Sequence, residues 1–151
     1  MTDKQKALVQ ESFEKVRPIA ETAANLFYNR LFTLDPSLRG LFRGDMNEQG
    51  RKLMQMIAVA VKGLSHLEAL VPAVEELGRR HAGYGVIDAH YETVGSALLW
   101  TLERGLGADF TPEVKEAWTV VYGLLTDVMQ RGAKTASMSG GFPVRERTAA
   151  D

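Results

Sequence analysis

The sequence predicts an all-α protein built as a single domain, and three observations support that prediction. Apolar residues recur at helical spacing along most of the chain, no segment alternates apolar and polar residues with the period of a strand, and no internal repeat is visible. A chain of 151 residues with 45% hydrophobic residues is also long enough to enclose one sizeable core. We therefore expect six to seven helices joined by short connections.

The helices are predicted in chain order from their apolar spacing and from the breaks between them. The first two cover about residues 3–17 and 19–33, on either side of an Arg-Pro pair. Two amphipathic stripes follow, the first formed by Leu53, Met56, Ile57, Ala60, Val61 and Leu64, and the second by Leu67, Leu70, Val71, Val74, Leu77 and Gly78. The last two helices cover residues 88–106 and a segment that begins after Thr111, a natural N-cap followed by Pro112 in the first turn.

The end of the chain differs in composition from the helical segments. Residues 135–151, "TASMSGGFPVRERTAAD", are small, polar and rich in turn formers. The sequence therefore predicts a folded domain over residues 1–134 and a flexible tail over 135–151.

Charge and cysteine content narrow the classes of partner and site. With 18 basic and 19 acidic residues the net charge is -1, which disfavours nucleic acid and anionic membranes as partners. The absence of cysteine excludes disulfides, thiol nucleophiles and thiolate metal sites. The N-terminus shows no leader-like apolar run and no run of transmembrane length is identified, so a cytoplasmic protein is expected.

His81 is a polar residue on an otherwise apolar helical face. It follows Val74, Leu77 and Gly78 on that face, so its side chain is predicted to point inward. An inward histidine on its own is most often a core residue with one satisfied hydrogen bond, and that interpretation stays open at this point.

Gln49 and Tyr28 are the other two polar residues on apolar faces. Gln49 lies on the backward extension of the first stripe, that of Leu53 to Leu64, where its amide is either buried or, as the alternative, caps the helix start or reaches solvent. Tyr28 lies on the apolar face of the second helix, where an ordinary core tyrosine with its hydroxyl at the rim is the alternative.

One inward histidine and two inward donors on three helices are more typical of a cofactor pocket than of a hydrolytic site. A single histidine cannot form a closed zinc site, which takes about four protein ligands, or three and a water. Haem brings four equatorial nitrogens of its own and needs only one histidine. The pattern therefore favours haem as the cofactor.

Six spaced motifs then match a known family. The segments "LFYNRLF", "LRGLF", "QGRKLM", "LGRRHAGYGV", "HYETVG…LL" and "AWTVVYG" occur in an order and spacing that resemble single-domain bacterial globins and the globin domain of flavohaemoglobins, with a more distant likeness to neuroglobin. The resemblance covers about residues 4–130. It implies the globin fold, in which six to seven helices enclose haem b.

The resemblance also implies roles for residues around the iron. His81 matches the proximal histidine that ligates the metal, and Phe42 matches the phenylalanine against the haem face. Tyr28 matches the distal tyrosine, Gln49 the distal-helix position that is often histidine, and Leu53 the apolar residue over the iron. His66 and His90, at interhelical connections, are then expected to be bystanders.

Residues at the edge of the implied pocket complete the set. Val86 is expected to pack on the haem edge, while Gly83 and Gly85 let the backbone leave the helix tightly. Three basic residues are candidates for the haem propionates, namely Lys52, Arg79 and Arg80. Tyr91 matches a tyrosine that supports the proximal histidine in flavohaemoglobins, but Ala133 stands where their glutamate is expected.

Two functions follow as expectations from this resemblance. The first is binding of O2 that is held tightly and released slowly because Tyr28 and Gln49 both donate to it. The second is nitric oxide dioxygenase activity on NO, which needs an external reductase. A sensor for a diatomic ligand is the third and least favoured alternative.

Overall fold

The computed structural model describes residues 1–42 and 44–138, with side chains through residue 134. The described residues form six α-helices: α1 (Asp3–Val16), α2 (Ala20–Leu34), α3 (Met46–Gly63), α4 (Leu67–Gly83), α5 (Asp88–Leu106) and α6 (Pro112–Met138). Short 3-10 helices lie at Arg17–Ile19, Pro36–Leu41, Leu64–His66 and Gly107–Asp109. The all-helical prediction is confirmed.

The helix ends show why these segments begin where they do. Thr2 and Gln5 cap α1 reciprocally, each side chain accepting from the other residue's backbone N–H. Thr111 accepts from the N–H of Val114 at 3.2 Å, and Pro112 opens α6, as the sequence predicts. Helix α6 continues to Met138, four residues beyond the predicted domain boundary, and the rest of the predicted tail lies outside the described residues.

Helices α3 and α4 follow each other through a single 3-10 turn. At the end of that turn His66 has φ -140 and ψ 63, far from helical values, so the chain bends between the two helices. The combined segment Met46–Gly83 nevertheless contains an 18-residue window of mean hydropathy 1.5, with 22% of it buried, which is apolar enough to cross a membrane by length and composition alone. The segment is not an uninterrupted apolar run, because charged residues such as Lys62 and Glu68 lie within it. The core helix of a soluble protein passes the same test.

The main apolar core fills the space between α1, α3, α4, α5 and α6. Phe13 and Trp118 pack with ring centroids 6.4 Å apart, and the indole N–H of Trp118 donates to Ser12 Oγ at 2.8 Å. The Ser12 hydroxyl donates in turn to the carbonyl of Leu8 at 2.6 Å, so these buried polar groups are satisfied.

A second apolar cluster, which we name the distal cluster, lies between α2, the Pro36–Leu41 turn, the start of α3 and α5. Its buried members are Phe27, Tyr28, Leu31, Leu38 and Ala97, and the partly buried side chains packed on them are Phe32, Leu41, Phe42, Met46, Leu53, Val94 and Leu98. Three of the residues that the sequence analysis names for the site, Tyr28, Phe42 and Leu53, therefore lie in or beside one cluster.

Helices α4 and α6 touch through their backbones. A Cβ added to Gly78 would lie 1.9 Å from the carbonyl oxygen of Met129, and one added to Gly132 would lie 2.1 Å from that of Glu75. Only glycine allows an approach this close, so the two glycines fix α4 against α6. Because His81 follows Gly78 by less than one turn, this contact also fixes the histidine's backbone.

Candidate functional site

His81 lies near the end of α4 with one ring nitrogen held by its own helix. The Nδ1 atom is 2.9 Å from the carbonyl oxygen of Leu77, four residues earlier. A carbonyl only accepts, so Nδ1 carries the proton, and in the neutral ring the lone pair is then on Nε2. This is the tautomer that a histidine needs to bind a metal through Nε2, with the backbone bond fixing the ring orientation.

The chain leaves α4 immediately after His81 through a tight glycine cap. The N–H of Val86 donates to the carbonyl of His81, and the N–H of Gly85 donates to that of Ala82, both at 3.1 Å. Gly85 has φ +98, as this motif requires, whereas Gly83 is still helical and has no positive φ. Gly85 has the positive φ that its expected role requires, and Gly83 is the last residue of α4, so its part in the exit from the helix stays a prediction.

Tyr28 lies on α2 with its side chain enclosed by aromatic rings. It is 8% exposed, and its ring centroid lies 5.1 Å from that of Phe27, 6.0 Å from Phe32 and 5.3 Å from Phe42. The hydroxyl donates to the backbone carbonyl of Gln49 across 3.5 Å, which is long for such a bond. Burial raises the pKa of Tyr28 well above its ordinary value, so the hydroxyl stays a protonated donor.

Gln49 lies in the first turn of α3 and is buried, with 6% of its surface exposed. The cap of this helix is Asp45, whose carboxylate accepts from the N–H of Asn47 at 2.9 Å. Since Asp45 caps α3, the structure favours the buried interpretation of Gln49 over the capping one.

The spacing of α2 and α3 brings Tyr28 and Gln49 together. A Cβ added to Gly50 would lie 3.0 Å from the Cβ of Ala24, so the helices cross closely at this point. Tyr28 follows Ala24 by one turn and Gln49 precedes Gly50, so this crossing places the tyrosine hydroxyl at the start of α3.

Phe42 and Leu53 complete the apolar surroundings. Phe42 ends the Pro36–Leu41 turn in extended conformation, with its ring 5.5 Å from that of Phe32. Leu53, one turn after Gln49, packs on the distal cluster and lines an apolar cavity of about 20 Å³ together with Phe27 and Leu98. The structure thus brings Tyr28, Gln49, Phe42 and Leu53 close together, and their expected roles around a haem stay predictions.

The residues proposed for the pocket edge are more dispersed. Lys52 and Arg80 are exposed, Val86 is half-buried, and Arg79 pairs with Glu76 of its own helix at 2.8 Å. The ion pair with Glu76 accounts for the orientation of the Arg79 side chain, so no haem propionate is needed to explain it.

Tyr91 lies on the side of α5 that faces α6. It lines an open groove of about 320 Å³ with Asp88 and Tyr122, and its backbone carbonyl accepts from the Tyr122 hydroxyl at 2.6 Å. Burial, and secondarily the charge of Asp88, raises the pKa of Tyr91. The expected support of His81 by Tyr91 stays a prediction.

The other two histidines have different surroundings. His66 is exposed at the turn between α3 and α4, and the Nδ1 atom of His90 accepts from the N–H of Ile87 at 3.1 Å, which caps α5. Both positions agree with the bystander interpretation.

Sequence reasoning missed three features that position the site. The carbonyl partner of His81 is detectable in principle, because Leu77 lies four residues earlier on the same helix. The approach of Gly78 to Met129 and of Gly50 to Ala24 joins helices distant in sequence, and the pattern of one helix does not contain it.

The side chains available as metal ligands fit haem. They do not fit a metal site that is formed by protein ligands alone. In the described part of the chain no group of three or more His, Asp or Glu side chains is placed to hold a metal ion. A single histidine whose Nε2 lone pair is set by a backbone bond instead suits a cofactor that brings its own equatorial ligands.

Comparisons with known proteins agree with this geometry. A family model described as Globin matches residues 25–129. The chain is 30% identical over 146 residues to Neuroglobin of Danio rerio, covering 87% of this chain and 92% of that protein. It is 31% identical over 150 residues to a Flavohemoprotein of Rhodopirellula baltica, covering 94% of this chain but only 37% of that protein.

A solved structure shows the same fold at lower identity. The hexacoordinated heme protein from an anhydrobiotic tardigrade superposes with a TM-score of 0.81 at 17% identity, covering 89% of this chain and 96% of that one. The family match over residues 25–129 and the neuroglobin relative establish that this chain belongs to the globin family.

Proposed function

We propose that this protein is an O2-binding globin with haem b that holds O2 tightly and releases it slowly. The observation that carries the proposal is the distal pair: the buried Tyr28 hydroxyl lies 3.5 Å from the Gln49 carbonyl, and Gln49 is itself buried. Haem, when bound, supplies the iron that binds a diatomic ligand such as O2 or NO. The ligation of the iron, the contacts with the haem and the rate of ligand release depend on the side chains of this chain.

His81 would hold the iron through Nε2, and Phe42, Leu53 and Val86 would contact the haem. The bond from His81 Nδ1 to the Leu77 carbonyl holds the ring in one tautomer, so no proton has to leave Nε2 when the metal binds. Lys52 and Arg80, both exposed, are the basic residues proposed for the propionates.

Tyr28 would donate to a ligand in the pocket. Its contact with the Gln49 carbonyl is longer than the range of about 2.5 to 3.0 Å typical of O–H···O bonds, so turning the hydroxyl toward a better acceptor sacrifices little. A hydrogen bond to a partly charged acceptor contributes about 1 to 3 kcal/mol, which corresponds to roughly 5- to 150-fold slower release for each donor.

The experiment that tests this is the O2 dissociation rate of the Tyr28→Phe variant, measured by stopped-flow. We expect a rate about 5- to 150-fold higher than in the wild type because one donor is lost. Tyr122→Phe is the matched control, since Tyr122 is also a poorly exposed tyrosine but donates to the Tyr91 carbonyl between α5 and α6. A Tyr28→Phe rate equal to the wild-type rate would reject the proposed donor.

The proposal includes an open sixth position on ferrous iron. The sequence has three histidines, His66 is exposed at a turn and His90 caps α5, so neither is placed on the distal side. We expect a broad five-coordinate absorption spectrum for the ferrous protein without O2. A sharp six-coordinate spectrum would mean that another residue binds the iron.

Nitric oxide dioxygenation is the second candidate, and the likeness to a Flavohemoprotein over 94% of this chain favours it. Conversion of NO to nitrate leaves ferric haem, so repeated turnover needs an electron donor. Ala133, at the position expected for a glutamate, argues against a strongly activated proximal side. Sustained NO consumption in the presence of an added reductase would support the enzyme, and a single stoichiometric turnover would support the O2 carrier. We place either activity in the cytoplasm.

A further inference from the structure

The aromatic rings around Tyr28 restrain it more firmly than its hydrogen bond does. The hydroxyl lies 3.5 Å from the Gln49 carbonyl oxygen, which is long for an O–H donor, so this contact holds the ring weakly. The rings of Tyr28 and Phe32 are stacked, with centroids 6.0 Å apart and planes at 24°, whereas Phe42 meets the Tyr28 ring edge-on at 5.3 Å and 73°. The direction of the Tyr28 hydroxyl therefore depends on where Phe32 and Phe42 lie.

Phe32 and Phe42 are the less enclosed neighbours of Tyr28. Both are half-buried, whereas Phe27, the third ring in contact with Tyr28, is only 5% exposed. A ring enclosed on all sides is fixed by close packing, but a half-exposed ring keeps more freedom unless a residue at the surface holds it. The orientation of Tyr28 is therefore open to control from the surface.

Arg39 is the surface residue that contacts Phe32 and Phe42. Its guanidinium carbon lies over the ring of Phe32, 5.1 Å from the ring centroid. Its backbone carbonyl accepts from the N–H of Phe42 at 3.1 Å, at the end of the Pro36–Leu41 turn. One residue of this turn therefore holds the backbone of Phe42 and covers the ring of Phe32.

No described carboxylate competes for the side chain of Arg39. The side chain is exposed, and it takes part in none of the ion pairs found across residues 1–42 and 44–134. A cation over an aromatic ring is attracted by the negative face of that ring, and at an exposed site this attraction changes an equilibrium constant by about 2- to 5-fold. The contact with Phe32 is thus the main interaction that the Arg39 charge makes.

We propose that Arg39 is a positioning residue for Tyr28. Its charge holds Phe32 in place, Phe32 stacks on the phenol ring, and the hydroxyl of Tyr28 is thereby aimed at a ligand in the pocket. Arg39 acts through Phe32 and does not itself donate to the ligand. The proposal rests on the proposed function, in which Tyr28 is a donor.

The test compares Arg39→Gln with the wild type in the haem-loaded protein. Glutamine removes the charge but keeps the backbone carbonyl and part of the aliphatic stem. We expect O2 dissociation about 2- to 5-fold faster, a smaller change than in Tyr28→Phe. The C–O stretching frequency of the ferrous CO complex should rise, as in Tyr28→Phe, because a donor at the bound ligand lowers that frequency and the donor is now less well aimed.

One conservative variant and one control accompany this substitution. Arg39→Lys keeps a cation that can lie over Phe32, so it should bring both readouts back toward the wild-type values. Arg17→Gln is the matched control, because it removes the same charge from an exposed residue that pairs with Glu14. It should leave both readouts unchanged.

Two double variants test the two contacts of the proposal separately. In the Tyr28→Phe background, Arg39→Gln should have no further effect on either readout, because the hydroxyl that Arg39 positions is absent. A second cycle pairs Arg39→Gln with Phe32→Leu and follows unfolding in urea. The two substitutions should be coupled by a factor of about 2 to 5 in the unfolding equilibrium constant, because leucine offers no ring to the cation.

Four results would overturn the positioning role. They are an Arg39→Gln variant with wild-type O2 dissociation and C–O frequency, an effect of Arg39→Gln that persists undiminished in Tyr28→Phe, an Arg39→Lys variant no closer to the wild type than Arg39→Gln, and additive unfolding effects at positions 39 and 32. The proposed function fails by a different result, an unchanged O2 dissociation rate in Tyr28→Phe, and the unfolding cycle still reports the contact between Arg39 and Phe32 in that case.

Discussion

The two sides of the candidate haem pocket are built by different kinds of contact. On the His81 side, α4 meets α6 through backbone atoms, at Gly78 against Met129 and at Gly132 against Glu75. On the Tyr28 side, the contacts are between side chains, namely aromatic rings of the distal cluster and the Cβ of Ala24 beside Gly50.

This difference decides which side can change without loss of the fold. A carbonyl oxygen inside a helix moves away only when the whole helix shifts, whereas an aromatic ring or a methyl group shifts by tenths of an ångström at modest cost. We infer that the position of His81 is held rigidly and that ligand affinity is adjusted from the distal side.

The largest effect is expected for Gly78→Ala. The added Cβ would lie 1.9 Å from the Met129 carbonyl oxygen, so α4 and α6 must separate along their contact. We expect a loss of about 3 kcal/mol in the free energy of unfolding, at the upper end of typical overpacking costs. Urea denaturation of the haem-loaded variant checks this, and the iron–histidine stretching frequency should shift because His81 moves with α4.

Gly123→Ala is the control for this substitution. Gly123 also lies inside a helix, but no atom lies within 4 Å of its added Cβ. Alanine there should stabilise the protein by up to about 1 kcal/mol through helix propensity. Similar losses in the two variants would show that the backbone contact at Gly78 is not what constrains α4.

The elements of this fold follow from local pattern, and their mutual placement does not. The stripe from Leu53 to Leu64 predicts α3, and Gly85 just beyond the last apolar residues predicts the end of α4. The approach of Gly78 to Met129 depends on residues 51 positions apart, which no periodicity encodes.

The candidate site shows the same division. That His81, Gln49 and Tyr28 face inward is predictable from spacing, and Gln49 and Tyr28 are indeed buried. Whether Gln49 caps its helix could not be decided before Asp45 was seen to do so. The roles toward a cofactor came from the family resemblance, since an inward histidine bonded to its own helix is also an ordinary core residue.

The next effect is a loss of folding stability at alkaline pH, to which the two poorly exposed tyrosines Tyr28 and Tyr122 both contribute. Burial raises the pKa of Tyr28 and of Tyr122 above the ordinary value of about 10. Above pH 10 the unfolded chain releases these protons while the folded protein keeps them, so the stabilisation that is complete below pH 10 is lost as pH rises. Each tyrosine should contribute up to about 1.4 kcal/mol of lost stability per pH unit in this range.

Tyr28→Phe and Tyr122→Phe should each make the unfolding free energy fall less steeply between pH 10 and 11. Only Tyr28→Phe should also raise the O2 dissociation rate, because the Tyr122 hydroxyl donates to the Tyr91 carbonyl. A wild-type slope in Tyr28→Phe would show that this hydroxyl titrates like an exposed one.

A smaller effect is expected for Gly50→Ala, the distal counterpart of Gly78→Ala. Its added Cβ would lie 3.0 Å from the Cβ of Ala24, a contact that a small shift of α2 relieves. We expect a loss of about 1 kcal/mol, together with a changed O2 dissociation rate because Tyr28 moves with α2.

The double variant Ala24→Gly/Gly50→Ala tests whether positions 24 and 50 are in direct contact. Removing the opposing methyl group should recover about 0.5 to 1 kcal/mol relative to the sum of the single variants. No such rescue is available at Gly78, whose neighbour is a backbone oxygen. Additive losses at Gly50 and Ala24 would contradict a direct contact between the two positions.

The smallest effect is expected for His90→Ala, and it contrasts two histidines nine residues apart. His81 Nδ1 contacts a carbonyl and therefore carries the proton, which sets the lone pair on Nε2, whereas His90 Nδ1 accepts from the Ile87 N–H and so has its own lone pair engaged. The first tautomer suits a metal ligand and the second suits a helix cap.

His90→Ala should cost about 0.5 kcal/mol, as for a weak exposed cap, and leave the ferrous absorption spectrum unchanged. His81→Ala should abolish that spectrum, and external imidazole should restore it. A His90→Ala variant that lost its haem spectrum would reverse the assignment of these two residues.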